Sequence, residues 1–148
     1  MILTFVVLQM RANESVFVAF DVHVLCANPA NTCVTGRERY RDMLSLSFRG
    51  AKVALIGYDI SARETYKDMV AFVRDTKRHA PPGCVIVLVA CKCDLEDKRE
   101  ISVEEVQAFA KENGCLHVQT SAKADLNVAE PFVAGATRWL EQPFMDST

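Results

Sequence analysis

An apolar run near the middle of the chain limits the possible folds more than any other feature. It spans residues 84–90, is rich in valine, and gives way abruptly to the charged residues Lys92 and Asp94. A β-branched run of this length is typical of a strand buried on both faces of a parallel sheet. Open α/β sheets bind ligands at the carboxyl ends of their strands, so Lys92 and Asp94 are predicted site residues.

Composition narrows the class of protein further. A chain of 148 residues, half of them hydrophobic and 24% charged, is expected to form one soluble globular domain. The net charge of −2 gives no indication of a nucleic-acid surface or a polybasic membrane patch. The six cysteines form no regular framework and no convincing secretory signal precedes them, which predicts reduced thiols in a cytoplasmic protein. The chain is expected to be a monomer.

A regular alternation of strands and helices begins at residue 52. Strands are predicted at 52–60, 84–90 and 115–119, and each is followed by a segment with helical periodicity. The first helix should end at residues 80–83, which read Ala-Pro-Pro-Gly. Alternation of this kind forces right-handed crossovers, so an α/β fold with a mostly parallel sheet flanked by helices is predicted.

Three capping sequences are predicted to start the helices. Ser61–Glu64 and Ser102–Glu105 have the capping-box pattern, and Asn127–Glu130 should cap the last helix. Gly114 is expected to be the C-cap of the middle helix. The inward face of the last helix is predicted to comprise Val128, Phe132, Ala136 and Leu140.

The chain before residue 52 is less regular. Ile2–Leu8 and Val16–Leu25 are strand-like, whereas residues 26–35 are predicted to be a loop because of their Asn, Pro and Thr content. Residues 36–42 are highly charged. Their cluster of Arg37, Arg39 and Arg41 is either an ordinary exposed face or a partner surface.

Three segments should meet on one rim of the sheet. They are the turn after Ile60, the Lys92 and Asp94 pair, and residues 120–123, which read Thr-Ser-Ala-Lys. Together they offer a carboxylate that accepts two hydrogen bonds, two lysine stems that can cover a flat ring, and backbone amides beside Ser121 and Ala122. Guanine presents an N–H and NH2 pair beside a carbonyl, which matches this set.

Several motifs, in the correct order, resemble the later two-thirds of a Rab-family small GTPase, nearest its endosomal members. They are Gly36-Arg-Glu-Arg-Tyr-Arg, Phe48-Arg-Gly-Ala, Tyr58-Asp-Ile, Cys91-Lys-Cys-Asp-Leu, Lys98-Arg-Glu and Thr120-Ser-Ala-Lys. The resemblance implies a three-layer, Rossmann-like P-loop NTPase fold over residues 36–141, with a divergent segment at 1–35 and a short tail at 142–148. It also implies a GTP-dependent role in vesicle traffic on endosomal membranes, although the tail has no cysteine to carry a prenyl group.

The resemblance assigns roles to five residues. Lys92 and Asp94, in the position of the family's Asn-Lys-x-Asp motif, would sandwich and read guanine. Ser121, Ala122 and Lys123 would buttress the base and donate a backbone amide to its oxygen. Regulators or effectors would contact the region Arg37–Arg41. In the family the first strand lies centrally, beside the equivalent of residues 52–60, so Ile2–Leu8 or Val16–Leu25 should fill that place rather than leave a hydrophobic edge bare.

Departures from the family pattern concern the phosphate half of the pocket. No Gly-x-x-x-x-Gly-Lys-Ser/Thr motif occurs in these residues, Cys91 replaces the family's asparagine, and Cys33 and Arg37 replace the Mg2+-organising aspartate and the water-positioning glutamine. No catalytic residue or metal ligand is therefore assigned, and Mg2+ binding is doubtful. Losing three or four phosphate contacts at about 1.5–3 kcal/mol each would cost roughly 5–10 kcal/mol, or about four to seven decades of affinity.

Two functions follow as hypotheses. The chain is either a piece or degenerate form of a Rab-like GTPase, binding GTP or GDP weakly through the guanine part, or a nucleotide-independent interaction module that uses the switch-like surface. Simpler readings of single features also stay open. Lys92 and Asp94 would then be a solvated strand end, and Cys91 with Cys93 would be half of a metal site.

Overall fold

A five-stranded parallel sheet forms the centre of the molecule. The computed structural model describes residues 5–9, 32–35 and 51–143, the first two ranges as backbone only. The strands lie in the order β2-β1-β3-β4-β5, and every neighbouring pair is parallel. Their bounds are Phe5–Gln9 for β1, Thr32–Thr35 for β2, Val53–Asp59 for β3, Val85–Cys91 for β4 and Leu116–Gln119 for β5. The predicted α/β class with a parallel sheet is confirmed.

Three α-helices connect and cover the strands in the described part of the chain. They are α1 (Arg63–His79), α2 (Val103–Asn113) and α3 (Glu130–Leu140), and a 3-10 turn occupies Glu96–Lys98. One face of β3, carrying Ile56 and Tyr58, packs against α1 and α2. The other face, carrying Val53 and Leu55, packs against α3. Alternate residues of one buried strand thus supply two cores, which gives the three-layer arrangement.

The place beside β3 is filled by β1. Residues Phe5–Gln9 pair with β3 from Val53 to Gly57, and their other edge pairs with β2. The prediction that an early segment covers this edge is confirmed for the first of the two candidates, while Val16–Leu25 lies outside the described residues. The prediction of a loop over residues 26–35 is wrong for its last four, which form β2. Backbone pairing with β1 outweighs the turn-forming residues that precede them.

Helix α1 begins differently from its predicted capping box. Its N-cap is Ala62, and the Ser61 side chain turns back to the strand, where its hydroxyl donates to Asp59 Oδ1 at 2.6 Å. The first free amide of the helix, that of Arg63, is satisfied by Glu100 Oε2 at 2.8 Å. A buried carboxylate nearby competes successfully for the serine, so the Ser61 prediction is wrong. The helix ends at His79, as residues 80–83 predicted.

Helix α2 follows its predicted caps. The Ser102 hydroxyl accepts a hydrogen bond from the Glu105 amide at 3.2 Å, and Gly114 has a left-handed backbone with φ of 67°. Glu105 does not complete the reciprocal half of the box, because its carboxylate pairs with Arg63 at 2.7 Å. The cap residues are therefore confirmed, and an ion pair to α1 replaces the second capping contact.

Helix α3 departs from prediction at both ends. Its N-cap is Ala129, whereas the Asn127 side chain donates to the Gln119 carbonyl at 3.1 Å. Leu140 is 53% exposed rather than inward. The buried positions of the helix are Pro131 and Gly135, since small residues allow the closest approach to the sheet.

Gly135 provides a test of this close approach. A Cβ at that position would lie 2.6 Å from Val53 Cγ1 and 3.2 Å from Val87 Cγ2. We expect Gly135→Ala to lower the free energy of unfolding by about 1–2 kcal/mol, because the clash exceeds the helix-propensity gain of alanine. Urea denaturation measures the change, with Thr137→Ala on the exposed side of α3 as the control. A Gly135→Ala protein as stable as wild type would contradict the packing described.

A tyrosine and histidine pair links β3 to β5 beneath α2. The Tyr58 hydroxyl and His117 Nε2 lie 3.1 Å apart, and Tyr58 is 1% exposed. Burial, with a smaller contribution from the positive charge of Arg99, lowers the pKa of His117 below its ordinary value of 6.5. Burial also raises the pKa of Tyr58, so both groups are neutral at pH 7.

The lowered histidine pKa predicts acid sensitivity. The unfolded chain takes up the histidine proton as pH falls through about 6.5, before the folded chain does, so protonation favours unfolding. We expect this pair to make its full contribution to the free energy of unfolding above that pH, and a smaller contribution at lower pH. Denaturation at pH 7.5 and 5.5 should show a smaller drop for His117→Gln than for wild type. An equal drop in both proteins would show that another group is responsible.

Candidate functional site

Three parallel strands end side by side at one rim of the sheet. The last residues of β3, β4 and β5 are Asp59, Cys91 and Gln119, and β4 lies between the other two. The loops that follow β4 and β5 contain all five predicted site residues. In an open α/β sheet this edge is where ligands bind, so the rim is the candidate site.

A hydrogen bond joins the loop after β4 to the loop after β5. The Ser121 hydroxyl donates to Asp94 Oδ1 at 2.7 Å. The same hydroxyl accepts from the Ala124 amide at 3.1 Å, and Ser121 has no solvent exposure. Asp94 itself is exposed. A buried serine thus orients an exposed carboxylate, and among the described residues the second oxygen, Oδ2, has no hydrogen-bond donor.

The loop after β5 is a tight backbone hairpin. Ser121 and Leu126 exchange two backbone hydrogen bonds, of 3.0 and 2.8 Å, and Asp125 takes a left-handed conformation with φ of 51°. Ala122 and Lys123 lie exposed at the tip. The Ala122 amide finds no acceptor within the described ranges. The loop therefore presents a free N–H donor close to the Asp94 carboxylate.

Lys92 is tied to the third strand end. Its Nζ lies 2.6 Å from Asp59 Oδ2, and the Lys92 side chain is 33% exposed while that of Asp59 is 7% exposed. Asp59 Oδ1 accepts from both the amide and the hydroxyl of Ser61, at 2.9 and 2.6 Å. Burial alone would raise the pKa of Asp59, but the hydrogen bonds from Lys92 and Ser61 outweigh it and the pKa lies below its ordinary value.

Backbone contacts fix the two loops to each other. The Cys93 amide donates to the Thr120 carbonyl at 3.0 Å, and the Thr120 amide donates to Ala90 at 2.7 Å. The buried Thr120 hydroxyl also donates to the Ala90 carbonyl, at 3.1 Å. These contacts extend the β4–β5 pairing past the ends of the strands, so Asp94 and Ser121 are held by the sheet itself.

Arg99 connects the loop after β4 to the end of β5. Its guanidinium contacts Glu96 through two nitrogens, donates to Gln119 Oε1 at 2.8 Å and to the Ile101 carbonyl at 3.2 Å. The Arg99 side chain is only 11% exposed. Residue patterns alone assigned no role to Arg99 or Asp59. Two sequence features could have indicated these roles: an acidic residue at the end of an apolar strand, for Asp59, and the Lys98-Arg-Glu motif, for Arg99.

The two cysteines beside Lys92 pack against different hydrophobic cores. Cys91 packs with the core under α3, whereas Cys93 packs with the core under α1 and α2, so they lie on opposite faces of the sheet. Burial raises the pKa of the Cys91 thiol to about 11, more than its contact with Thr120 lowers it. Within residues 51–143, no group of three His, Cys, Asp or Glu side chains is placed to hold a metal ion.

A parallel α/β sheet with paired loops at its carboxyl rim defines the chain as an open α/β domain whose candidate ligand site is that rim. A family-model comparison matches the Ras family over residues 31–141, which is more than half of the chain. The chain belongs to the Ras family, whose members are small GTPases that bind guanine nucleotides. None of the described helices is long and apolar enough to cross a membrane.

The rim has the donors and acceptors that guanine requires. The oriented Asp94 carboxylate can accept from the N–H and NH2 of the base, and the free Ala122 amide can donate to its carbonyl. Lys123 is exposed and Lys92 is partly exposed, so the stems of both are accessible to a ligand at the rim. The residues present thus fit the base of a guanine nucleotide, and their individual binding roles stay predictions.

Proposed function

We propose that this Ras-family chain recognises guanine through Lys92, Asp94 and Ser121–Lys123, while gripping the phosphates weakly and hydrolysing GTP slowly. The observation that carries the proposal is the 2.7 Å hydrogen bond from Ser121 to Asp94, which aims an exposed carboxylate beside a free backbone amide. A carboxylate held on one oxygen by a buried donor keeps the other oxygen for a ligand, at little entropic cost on binding.

The weak phosphate grip follows from residue chemistry. The sequence has six glycines, and none precedes Gly36, so the first strand is not followed by the glycine-rich loop that cradles phosphates. Lys92, in the loop after β4, is already paired with Asp59. A bound nucleotide would supply a planar base for the rim to read, whereas the lysine at the end of β4 is not free to neutralise its phosphates. Mg2+ should therefore add little to binding.

Titration with nucleosides tests base recognition without the phosphates. We expect guanosine to shift the backbone amide signals of Ala122 and Ser121 in a 1H–15N NMR spectrum, because these groups lie at the predicted contact. Adenosine, which has an amino group in place of the guanine carbonyl, should leave them unchanged at the same concentration. Equal shifts with both nucleosides, or with neither, would contradict guanine recognition.

We also propose a Rab-like role in vesicle traffic, with regulators or effectors contacting the region Arg37–Arg41. Support comes from the Tyr58-Asp-Ile and Lys98-Arg-Glu motifs, both of which resemble the Rab pattern. In cells, a tagged chain should colocalise with endosomal markers and lose this on charge reversal of the three arginines. A diffuse distribution that the charge reversal does not alter would contradict the proposal.

A nucleotide-independent interaction module is the second candidate. The observation in its favour is that Lys92 already has an internal ion-pair partner, so the rim is ordered by its own residues. Under this alternative, partner proteins would bind the chain equally well in the presence of guanosine, in the presence of GTP and without any ligand. Retention that depends on added nucleotide would favour the first candidate.

A further inference from the structure

An ion pair that is buried on its acidic side joins the loop after β4 to the neighbouring strand β3. Asp59 is the last residue of β3, Lys92 is the first residue after β4, and their charged atoms lie 2.6 Å apart. The Asp59 residue is 5% exposed. Such a pair is costly to break on one side, because the remaining charge would stay buried without a partner.

The backbone of Lys92 is in an unusual conformation. Its φ is 62°, in the left-handed region that is unfavourable for a residue with a Cβ atom and that a lysine seldom adopts. Left-handed lysine persists only where the surroundings hold it. The ion pair with Asp59 supplies that restraint, since it attaches the side chain to a fixed point on β3.

Asp59 is itself immobilised. Its Oδ1 atom accepts two hydrogen bonds from Ser61, so only Oδ2 turns toward Lys92. Strand β3 is central, with β1 on one side and β4 on the other. The carboxylate is thus a rigid anchor, and it lies on the side of the loop opposite to Ser121.

The side chain of residue 91 does not anchor the loop to β3. The Cys91 thiol donates within its own strand, to the Val89 carbonyl at 3.7 Å, and its other contact, with Thr120, lies on the β5 side, away from β3. The last backbone contact between β3 and β4 is from the Ile60 amide to the Cys91 carbonyl, at 3.3 Å. Beyond that point, the Asp59–Lys92 pair joins the start of the loop to β3, and the loop returns to the strand end only where the Glu100 amide donates to the Ile60 carbonyl at 2.8 Å, within the described residues.

We propose that Asp59 is a positioning residue for guanine recognition, which holds Lys92 in its left-handed conformation and thereby fixes the loop that presents Asp94. This inference rests on the proposed function, because it concerns the same site. The base-reading loop is then held from both sides, by Asp59 through Lys92 and by Ser121 through Asp94. Its order does not depend on bound phosphate.

Four variants test the proposal by guanosine titration: Asp59→Asn, Lys92→Met, the double variant of both, and the control Asp68→Asn on the exposed face of α1. Asparagine retains an oxygen for Ser61 and removes only the charge. We expect each single site variant to weaken guanosine binding by about tenfold, and the double variant to bind no more weakly than either, because both remove the same contact. The control should stay within about twofold of wild type.

Two results would overturn the proposal. One is an Asp59→Asn protein with wild-type guanosine affinity. The other is a double variant whose loss is the product of the two single losses, which would show that Asp59 and Lys92 act independently. If Asp59→Asn does not fold, the guanosine affinities of Lys92→Arg and Lys92→Met test the proposal instead. Arginine keeps a cation for Asp59 and should bind within about threefold of wild type, whereas wild-type affinity of the Met variant would overturn the proposal.

A structural readout separates this proposal from the proposed function. The backbone chemical shifts of Lys92 report its left-handed conformation with no ligand present. We expect them to move toward ordinary values in Asp59→Asn and to be unchanged in Asp68→Asn. Failure of wild type to bind guanosine would refute the proposed function alone, while unchanged Lys92 shifts in Asp59→Asn would refute the positioning role.

Discussion

Asp94→Asn is expected to weaken guanosine binding by about a hundredfold. Asparagine has the same shape and keeps an oxygen for the Ser121 hydroxyl, so the loop should hold its conformation. The change places an NH2 donor, in place of a carboxylate oxygen, against the N–H and NH2 donors of guanine. Two donors then face each other, which leaves buried polar groups unpaired. Calorimetry at matched protein concentrations measures the loss.

A neighbouring acid provides the control for this change. Asp97 is exposed in the 3-10 turn Glu96–Lys98, and Asp97→Asn removes the same charge a few residues away. Its guanosine affinity should match that of wild type. Xanthosine has an oxygen in place of the 2-amino group, so Asp94→Asn should prefer it to guanosine. A hundredfold loss shared by both variants would mean that net charge, rather than the position of Asp94, controls binding.

Arg99→Met is expected to lower the free energy of unfolding by about 2–3 kcal/mol and to weaken guanosine binding as well. Methionine fills part of the volume but leaves the Ile101 carbonyl without its donor, and leaves Gln119 Oε1 with only the weak Cys93 thiol donor at 3.6 Å. The contacts to Glu96 contribute less, because that carboxylate is 69% exposed. Since Gln119 immediately precedes Thr120 and Ser121, loss of the brace should loosen the loop that orients Asp94.

Lys98→Met is the matched control for the arginine. Lys98 is adjacent, exposed and cationic, and it makes no ion pair with a described residue. Urea unfolding of Lys98→Met should agree with wild type within about 0.5 kcal/mol. If both variants lose the same stability, then the general loss of positive charge, and not the contacts of Arg99, explains the effect.

The sheet was predictable because its signals are local and strong. The valine-rich run at 84–90 and the strand at 52–60 are buried on both faces, and long apolar runs of this kind have few alternatives. The short strand Thr32–Thr35 was missed because its pairing with β1 is nonlocal, and flanking Asn and Pro residues favour a loop. The helix cap at Ser102 was predictable for the opposite reason, since its partner is three residues away.

The two wrong helix caps share one physical cause. Ser61 and Asn127 each have the side chain that a cap needs, but each bonds a group at the end of the preceding strand instead. The partner of Ser61 is Asp59, two residues before it, and the partner of Asn127 is the Gln119 carbonyl. Both groups lie at the carboxyl rim. Sequence patterns therefore located the rim and its five predicted residues, but they could not show that Asp59 holds Lys92 or that Arg99 braces Gln119.

A phosphate series tests the central claim most directly. Guanosine, GMP, GDP and GTP, each with and without Mg2+, would be titrated into the protein by calorimetry under one set of conditions. We predict dissociation constants that agree within about tenfold across the series and no effect of Mg2+, because the rim reads the base and few groups remain for the phosphates. Magnesium-dependent GTP binding more than about a thousandfold tighter than guanosine binding would contradict this account.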